Sequence, residues 1–140
     1  MKKIIIASHH QLAQGFKDTL NYIVPVVDAE IIAISAYTTN TPVEQEITDA
    51  LKDIQSEDEV IVFTDLLGGS VNQAFVPYLS NPHVHVIAGM SLPLILTVVL
   101  TLNEQKTTPE QFRNSIKEAQ EQIVYVNDHL AAQAIDEDDE

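Results

Sequence analysis

Apolar residues along this 140-residue chain alternate between two kinds of pattern. The continuous runs "KIIIAS" (Lys3 to Ser8), "EIIAISAY" (Glu30 to Tyr37), "DEVIVFTD" (Asp58 to Asp65) and "HVHVIAG" (His83 to Gly89) predict strands covered on both faces, as in a parallel sheet. Between them the apolar positions take helical spacing. Leu12, Phe16, Leu20 and Ile23 predict a helix that Pro25 stops. Val43, Ile47, Ala50, Leu51 and Ile54 predict a second, with Thr41 as N-cap, Pro42 as first helical residue, and Glu44, Glu46 and Asp49 toward water. After the third strand the loop "LLGGS" (Leu66 to Ser70) leads into a helix with Val71, Ala74, Phe75 and Leu79 inward and a kink or early end at Pro77. "LPLILTVVLTL" (Leu92 to Leu102) predicts a helix buried on most sides, with another chain as one candidate cover. Thr108, Pro109 and Gln111 open a last helix with a capping box. "QIVYVN" (Gln122 to Asn127) reads as a fifth strand, and residues 131–140 as an acidic, disordered tail.

The order is βαβαβαβ followed by αβ. Right-handed crossovers turn it into an α/β fold, an open, mostly parallel, doubly wound sheet flanked by helices. It is one domain over residues 1–130. In such sheets the reactive site lies beyond the carboxyl ends of the strands, where strand order reverses. That rule selects Ser8-His9-His10, Asp65 with its glycine loop, and Gly89-Met90-Ser91.

Composition narrows the chemistry. The formal charge is −14, of which five charges lie in Asp136–Glu140, leaving about −9 on the body. Phosphate-backbone binding needs clustered Lys and Arg, so nucleic acid is not an expected partner. An acidic body suits a basic protein partner met by steered encounter. The chain has no cysteine, which excludes disulfides and thiolate chemistry. The start is too short for the apolar core of a signal peptide, and the longest apolar run is too short to cross a bilayer. A cytoplasmic protein is expected.

If the first and third strands are neighbours, His9 and Asp65 project from adjacent strand ends. The carboxylate then fixes the imidazole tautomer and leaves the other ring nitrogen as a nucleophile. Gly68 and Gly69 permit close backbone approach to a ligand. The N–H groups of the Leu66–Val71 segment, at the start of a helix, favour an anion. A histidine nucleophile, an orienting carboxylate and an anion cradle suit transfer of a phosphoryl group onto and off histidine. Each part has a plainer reading: a His pair as loop decoration, an Asp capping a turn, a Gly-Gly-Ser loop as a tight connection. Their joint placement at the switch point favours the functional one. No Gly-Lys-Ser/Thr or G-x-G-x-x-G phosphate loop occurs. His83 and His85 alternate on one strand face and read as sheet residues rather than a metal pair, and His129 as exposed. With no compact His-carboxylate cluster, no metal site is expected.

"IIIASHH" before an amphipathic helix, "VIVFTDLLGGSVNQA" and "VIAGMSLPLIL" together resemble the enzyme IIA component of the mannose-type sugar phosphotransferase system. The resemblance spans about the first hundred residues in order and spacing. It implies a phosphoryl carrier that accepts phosphate from the phosphocarrier protein HPr and passes it to enzyme IIB, which serves membrane permease components. It places the phosphorylated histidine on His9, its partnering aspartate on Asp65, and the serine that helps hold the phosphoryl group on Ser70; with the loop backbone read above, Leu66, Gly68, Gly69 and Ser70 form the expected phosphate-binding set. It implies no cofactor. It also implies a homodimer that exchanges a C-terminal antiparallel edge strand, a role that Gln122–Asn127 would fit. Three positions depart from the family pattern: His10 replaces a frequent glycine, Leu67 a tryptophan, and Val71 a proline. Leu67, Met90 and Tyr37 are candidate apolar rim residues for partner docking. The absence of an Ala/Pro-rich linker after the fifth strand fits a free-standing component or an excised domain. Two other functions share these residues: the phosphocarrier subunit of dihydroxyacetone kinase, and a regulatory domain switched by phosphorylation of His9.

Overall fold

The computed structural model describes the backbone of residues 1–138. Four parallel strands, β1 (Lys2–His9), β2 (Glu30–Ala36), β3 (Glu59–Thr64) and β4 (Val84–Ile87), form one sheet in the order β2-β1-β3-β4. β1 and β3 are the inner pair, as their unbroken apolar sequences require. Every residue of β3 is buried. Register pairs Ala7 with Thr64 and His9 with Ala36. The carboxyl ends of β1 and β3 therefore lie side by side, and the order reverses between them.

Each face carries its own core. On one, Ile4, Ile6, Ile61 and Phe63 pack under α1 (Leu12–Ile23), α4 (Leu92–Thr101) and α5 (Pro109–Gln120). On the other, Ile5, Ala7, Val60 and Val62 pack under α2 (Val43–Leu51) and α3 (Ser70–Phe75). Alternate residues of a strand face opposite ways, so a run with no polar break feeds both cores. Each fully buried isoleucine contributes about 1.5–3 kcal/mol.

Helix ends follow local chemistry with small shifts. Thr108 accepts from the Gln111 N–H while the Gln111 side chain accepts from the Thr108 N–H, the full capping box. Thr41 does not cap α2: Pro42, extended at ψ 145°, occupies the N-cap position and Val43 is the first helical residue. Pro77 turns the end of α3 into a 3-10 segment, Val76–Ser80. The buried face of α1 runs through Ala13, Phe16 and Leu20, not Leu12 and Ile23, which stay exposed. Glu46 is half-buried rather than facing water, and Leu79 is exposed while Tyr78 packs inward.

The expected fifth strand is absent. Residues 122–125 leave α5 as irregular chain, and Val126–Asp138 is a helix, α6. The segment pairs with neither edge strand, β2 nor β4, and a strand without a partner leaves its ladder groups unpaired. Ala131, Ala132, Gln133 and Ala134 favour helix. The tail expected to be disordered from residue 131 is thus helical through Asp138, while Asp139 and Glu140 lie outside the described residues. Ile123, Val124, Tyr125 and Val126 are exposed. No helix among the described residues is long and apolar enough to cross a membrane.

At the amino ends of the strands, buried Lys2 and Glu59 sit 3.8 Å apart. Glu59 accepts from the Thr107 N–H and hydroxyl, both at 2.8 Å, and Lys2 Nζ donates to the Gln105 carbonyl at 2.7 Å. The pairing satisfies both charges and pins the α4–α5 connection under the sheet.

Candidate functional site

His9, the last residue of β1, meets Asp65, the first residue after β3. Asp65 Oδ2 accepts from the His9 backbone N–H at 2.8 Å and lies 2.8 Å from His9 Nδ1. Asp65 Oδ1 accepts from the Leu66 N–H at 2.9 Å. Burial of the carboxyl works against its charge, but the hydrogen bonds from the His9 N–H, the His9 ring and the Leu66 N–H outweigh it and hold its pKa below the ordinary carboxylate value. An ionised carboxylate only accepts, so Nδ1 of a neutral His9 carries the hydrogen. Nε2 then holds the lone pair. It faces Ser70 Oγ, 3.3 Å away at the head of α3. The His9 side chain is 37% exposed and that of Asp65 only 10%. The imidazole is reachable from solvent while the carboxylate is shielded.

The turn after β1 is built by Ser8. Its buried hydroxyl accepts from the Ala13 N–H at 2.7 Å and donates to the His10 carbonyl at 3.1 Å. His10 has φ 54°, in the left-handed region, and its N–H donates to the Ala36 carbonyl at 2.8 Å. An L-residue there costs about 1–2 kcal/mol relative to glycine. His10 is exposed and makes no hydrogen bond to the His9–Asp65 pair among the described contacts.

The glycine loop is held by itself and by one residue that the sequence pattern did not single out. The Gly69 N–H donates to the Leu66 carbonyl and the Gly68 N–H to Asn72 Oδ1, both at 3.0 Å. Asn72 Nδ2 reaches Thr64 Oγ1 at 3.0 Å and so ties the loop to the end of β3. A buried asparagine on an otherwise apolar helix face was the available signal. Gly68 has φ 75°, which glycine adopts without strain. A Cβ at Gly69 would lie 3.2 Å from Leu66 Cβ and its carbonyl oxygen, and 3.6 Å from His9 Cε1. Gly69 is therefore what lets the loop fold tightly back on Leu66 beside the imidazole. The N–H groups of Leu66, Gly68 and Gly69 are already paired within the site. The Ser70 hydroxyl at the head of α3 faces His9.

Of the rim candidates, Leu67 is 85% exposed. Met90 is half-buried against the core beneath α4 and its N–H donates to the Thr64 carbonyl at 3.0 Å. Ser91 serves as the N-cap of α4, so the end of β4 contributes no group to the His9 pair. Tyr37 is not merely a rim residue: its phenol oxygen is 2.6 Å from Ser70 Oγ and its ring centroid 5.5 Å from that of His9. The remaining histidines stand apart. His85 packs on Phe112 at 4.6 Å, and burial lowers its pKa. His129 lies exposed on α6. Among the described residues no three His, Asp or Glu side chains cluster as metal ligands.

Comparison with known proteins bears on the family and the fold. Residues 3–117 match the family of the PTS system fructose IIA component, EIIA-man. A PTS system fructose-specific EIIA component of Bacillus subtilis is 25% identical over 133 residues, covering 93% of this chain and 90% of the relative. A crystal structure assigned to a phosphoenolpyruvate-dependent sugar phosphotransferase system permease of Klebsiella pneumoniae superposes with a TM-score of 0.84 at 31% identity, over 92% of this chain and 93% of that one. The mannose/sorbose-specific IIA subunit of Enterococcus faecalis shares the fold, with a TM-score of 0.72 at 21% identity, over 89% and 94%. With four parallel strands, a reversal point between β1 and β3, and a match over most of its length, the chain belongs to the mannose-type family of phosphotransferase-system IIA components.

Proposed function

We propose that the protein is a phosphoryl carrier that accepts phosphate from phospho-HPr on His9 Nε2 and passes it to a histidine of enzyme IIB. The observation that carries this reading is the His9 Nδ1–Asp65 contact at 2.8 Å in a partly exposed imidazole. Nε2 attacks phosphorus in line, and the bond from phosphorus to the donor imidazole breaks. The His9 ring becomes imidazolium-like, and the Asp65 carboxylate stabilises that charge through the proton on Nδ1. The donor ring leaves as a neutral imidazole. Reversal of the same steps delivers the group to IIB. The donor bond is already activated, so positioning and charge stabilisation suffice. The Ser70 hydroxyl and the N–H groups at the head of α3 take the phosphoryl oxygens, while Leu66, Gly68 and Gly69 shape the loop that holds them. Exposed Leu67 and the acidic body supply an apolar and a charged contact for a basic partner.

Incubation with enzyme I, HPr and phosphoenolpyruvate is expected to add one phosphoryl group per chain. Phosphorus-31 NMR should place it on the imidazole nitrogen farther from the backbone. Phosphate on the nearer nitrogen would overturn the tautomer assignment, and an unmodified chain would overturn the function.

The exposed run Ile123–Val126, with Leu100 on α4 70% exposed, supports a homodimer in which the C-terminal segment packs on a second copy. Sedimentation equilibrium is expected to give twice the 15.5 kDa chain mass. A monomer at micromolar concentration would exclude this assembly.

A further inference from the structure

We infer that Tyr37 is a positioning residue for phosphoryl transfer at His9, acting through Ser70; the inference rests on His9 being the acceptor. Hydrogen-bond polarity supplies the argument. The Asp65 carboxylate only accepts, so Nδ1 is the protonated nitrogen and Nε2 an acceptor. Ser70 Oγ, 3.3 Å from Nε2, must then donate to it. A hydroxyl has a single proton, so toward Tyr37 the Ser70 oxygen accepts, and the phenol at 2.6 Å is the donor. The chain of donation runs from Tyr37 to Ser70 to the nitrogen that forms the new bond.

That direction has a consequence when phosphate arrives. Nε2 needs its lone pair for phosphorus, so the Ser70 proton has to leave it and turn toward a phosphoryl oxygen. Ser70 is exposed, and a free serine would distribute over three staggered rotamers. With its oxygen fixed by the phenol, only the proton has to swing. Tyr37 also keeps Ser70 a donor: were the phenol an acceptor, it would compete with the phosphoryl oxygen for the same proton. The backbone is consistent with a held position. Tyr37 stands directly after β2 with φ 67°, a region unfavourable for a bulky L-residue, and such conformations persist where the surroundings fix them, commonly at functional sites.

The test is single-turnover transfer from phospho-HPr to wild type, Tyr37→Phe, Ser70→Ala and the double variant. Phenylalanine keeps the ring beside His9 and removes only the donor. Tyr37→Phe is expected to lower the rate constant at saturating phospho-HPr by about 3–10-fold, the worth of one hydrogen bond. The half-saturating concentration should not change. The double variant should be no slower than Ser70→Ala, because Tyr37 acts through that hydroxyl. A wild-type rate for Tyr37→Phe, a full multiplication of the two defects, or a change confined to half-saturation would each overturn the inference. Should wild type itself take no phosphoryl group, the assignment of His9 falls first, and this inference with it. Unchanged thermal midpoint and amide NMR spectra confirm that the phenylalanine variant is folded; should it not fold, Tyr37→Leu is read by the same criteria.

Discussion

A His9→Ala protein is expected to take no phosphoryl group from phospho-HPr, whereas His10→Ala should be phosphorylated to nearly the wild-type extent. The two imidazoles are adjacent in sequence but differ in every property that makes a nucleophile. His9 ends a parallel strand whose neighbour delivers Asp65 to its Nδ1. His10 has already left the sheet with φ 54°. The other candidates cannot substitute. His83 precedes β4 at the amino end of the sheet, opposite the site, and His85 is packed on Phe112. Intact mass spectrometry after exposure to enzyme I, HPr and phosphoenolpyruvate reads the outcome directly. Retention of the added mass by His9→Ala would assign the acceptor elsewhere. Loss of it in His10→Ala, with His9 present, would mean that the pair acts together.

The skeleton of this site was legible in the sequence because it rests on rules that act locally or through topology. Unbroken apolar runs marked the strands as buried, and their alternation with helices pointed to the carboxyl ends of a parallel sheet as the place of the site. His9 stands beside Asp65 on the condition that β1 and β3 are neighbours, and the observed strand order meets it. The capping box at Thr108 was readable for the same reason, since both of its hydrogen bonds close within four residues. What could not be read depends on where distant side chains turn. Tyr37 offers an apolar ring and a polar tip, and only the fold shows that the tip reaches Ser70, thirty-three positions away. Asn72 satisfies a loop amide and a strand-end hydroxyl that no linear pattern brings together. The face of α1 was misjudged by one residue because Leu12 and Ala13 both suit a helix, and small Ala13 is the one that fits against the sheet. The fifth strand failed for a different reason. A β-rich composition in Gln122–Asn127 suits a strand, but the segment follows α5 directly, joins neither edge of the sheet and runs into α6.

Asp65→Asn is expected to fold and yet to slow phosphoryl transfer by roughly 10²–10⁴-fold. The variant keeps the shape of the side chain but exchanges an acceptor for a donor. An amide NH2 turned toward Nδ1 requires an unprotonated nitrogen there, which moves the hydrogen to Nε2 and removes the lone pair that attacks phosphorus. Turning the amide oxygen to Nδ1 instead restores the tautomer, but it brings the NH2 against the Leu66 N–H, two donors face to face. Either way the charge that stabilises the phosphorylated ring is lost. Stability should respond to pH in a way that separates the two effects. The folded-state pKa of Asp65 is lowered from 3.8, so its contribution is present above that ordinary value and is lost as pH falls through the folded-state one. At neutral pH the wild type should be more stable than Asp65→Asn by roughly 1–3 kcal/mol, with the gap closing below about pH 4. Stopped-flow transfer rates and urea titrations at two pH values measure both. A transfer rate within threefold of wild type would refute the orienting role, and a stability gap that persists in acid would mean that Asp65 is held by its shape and not its charge.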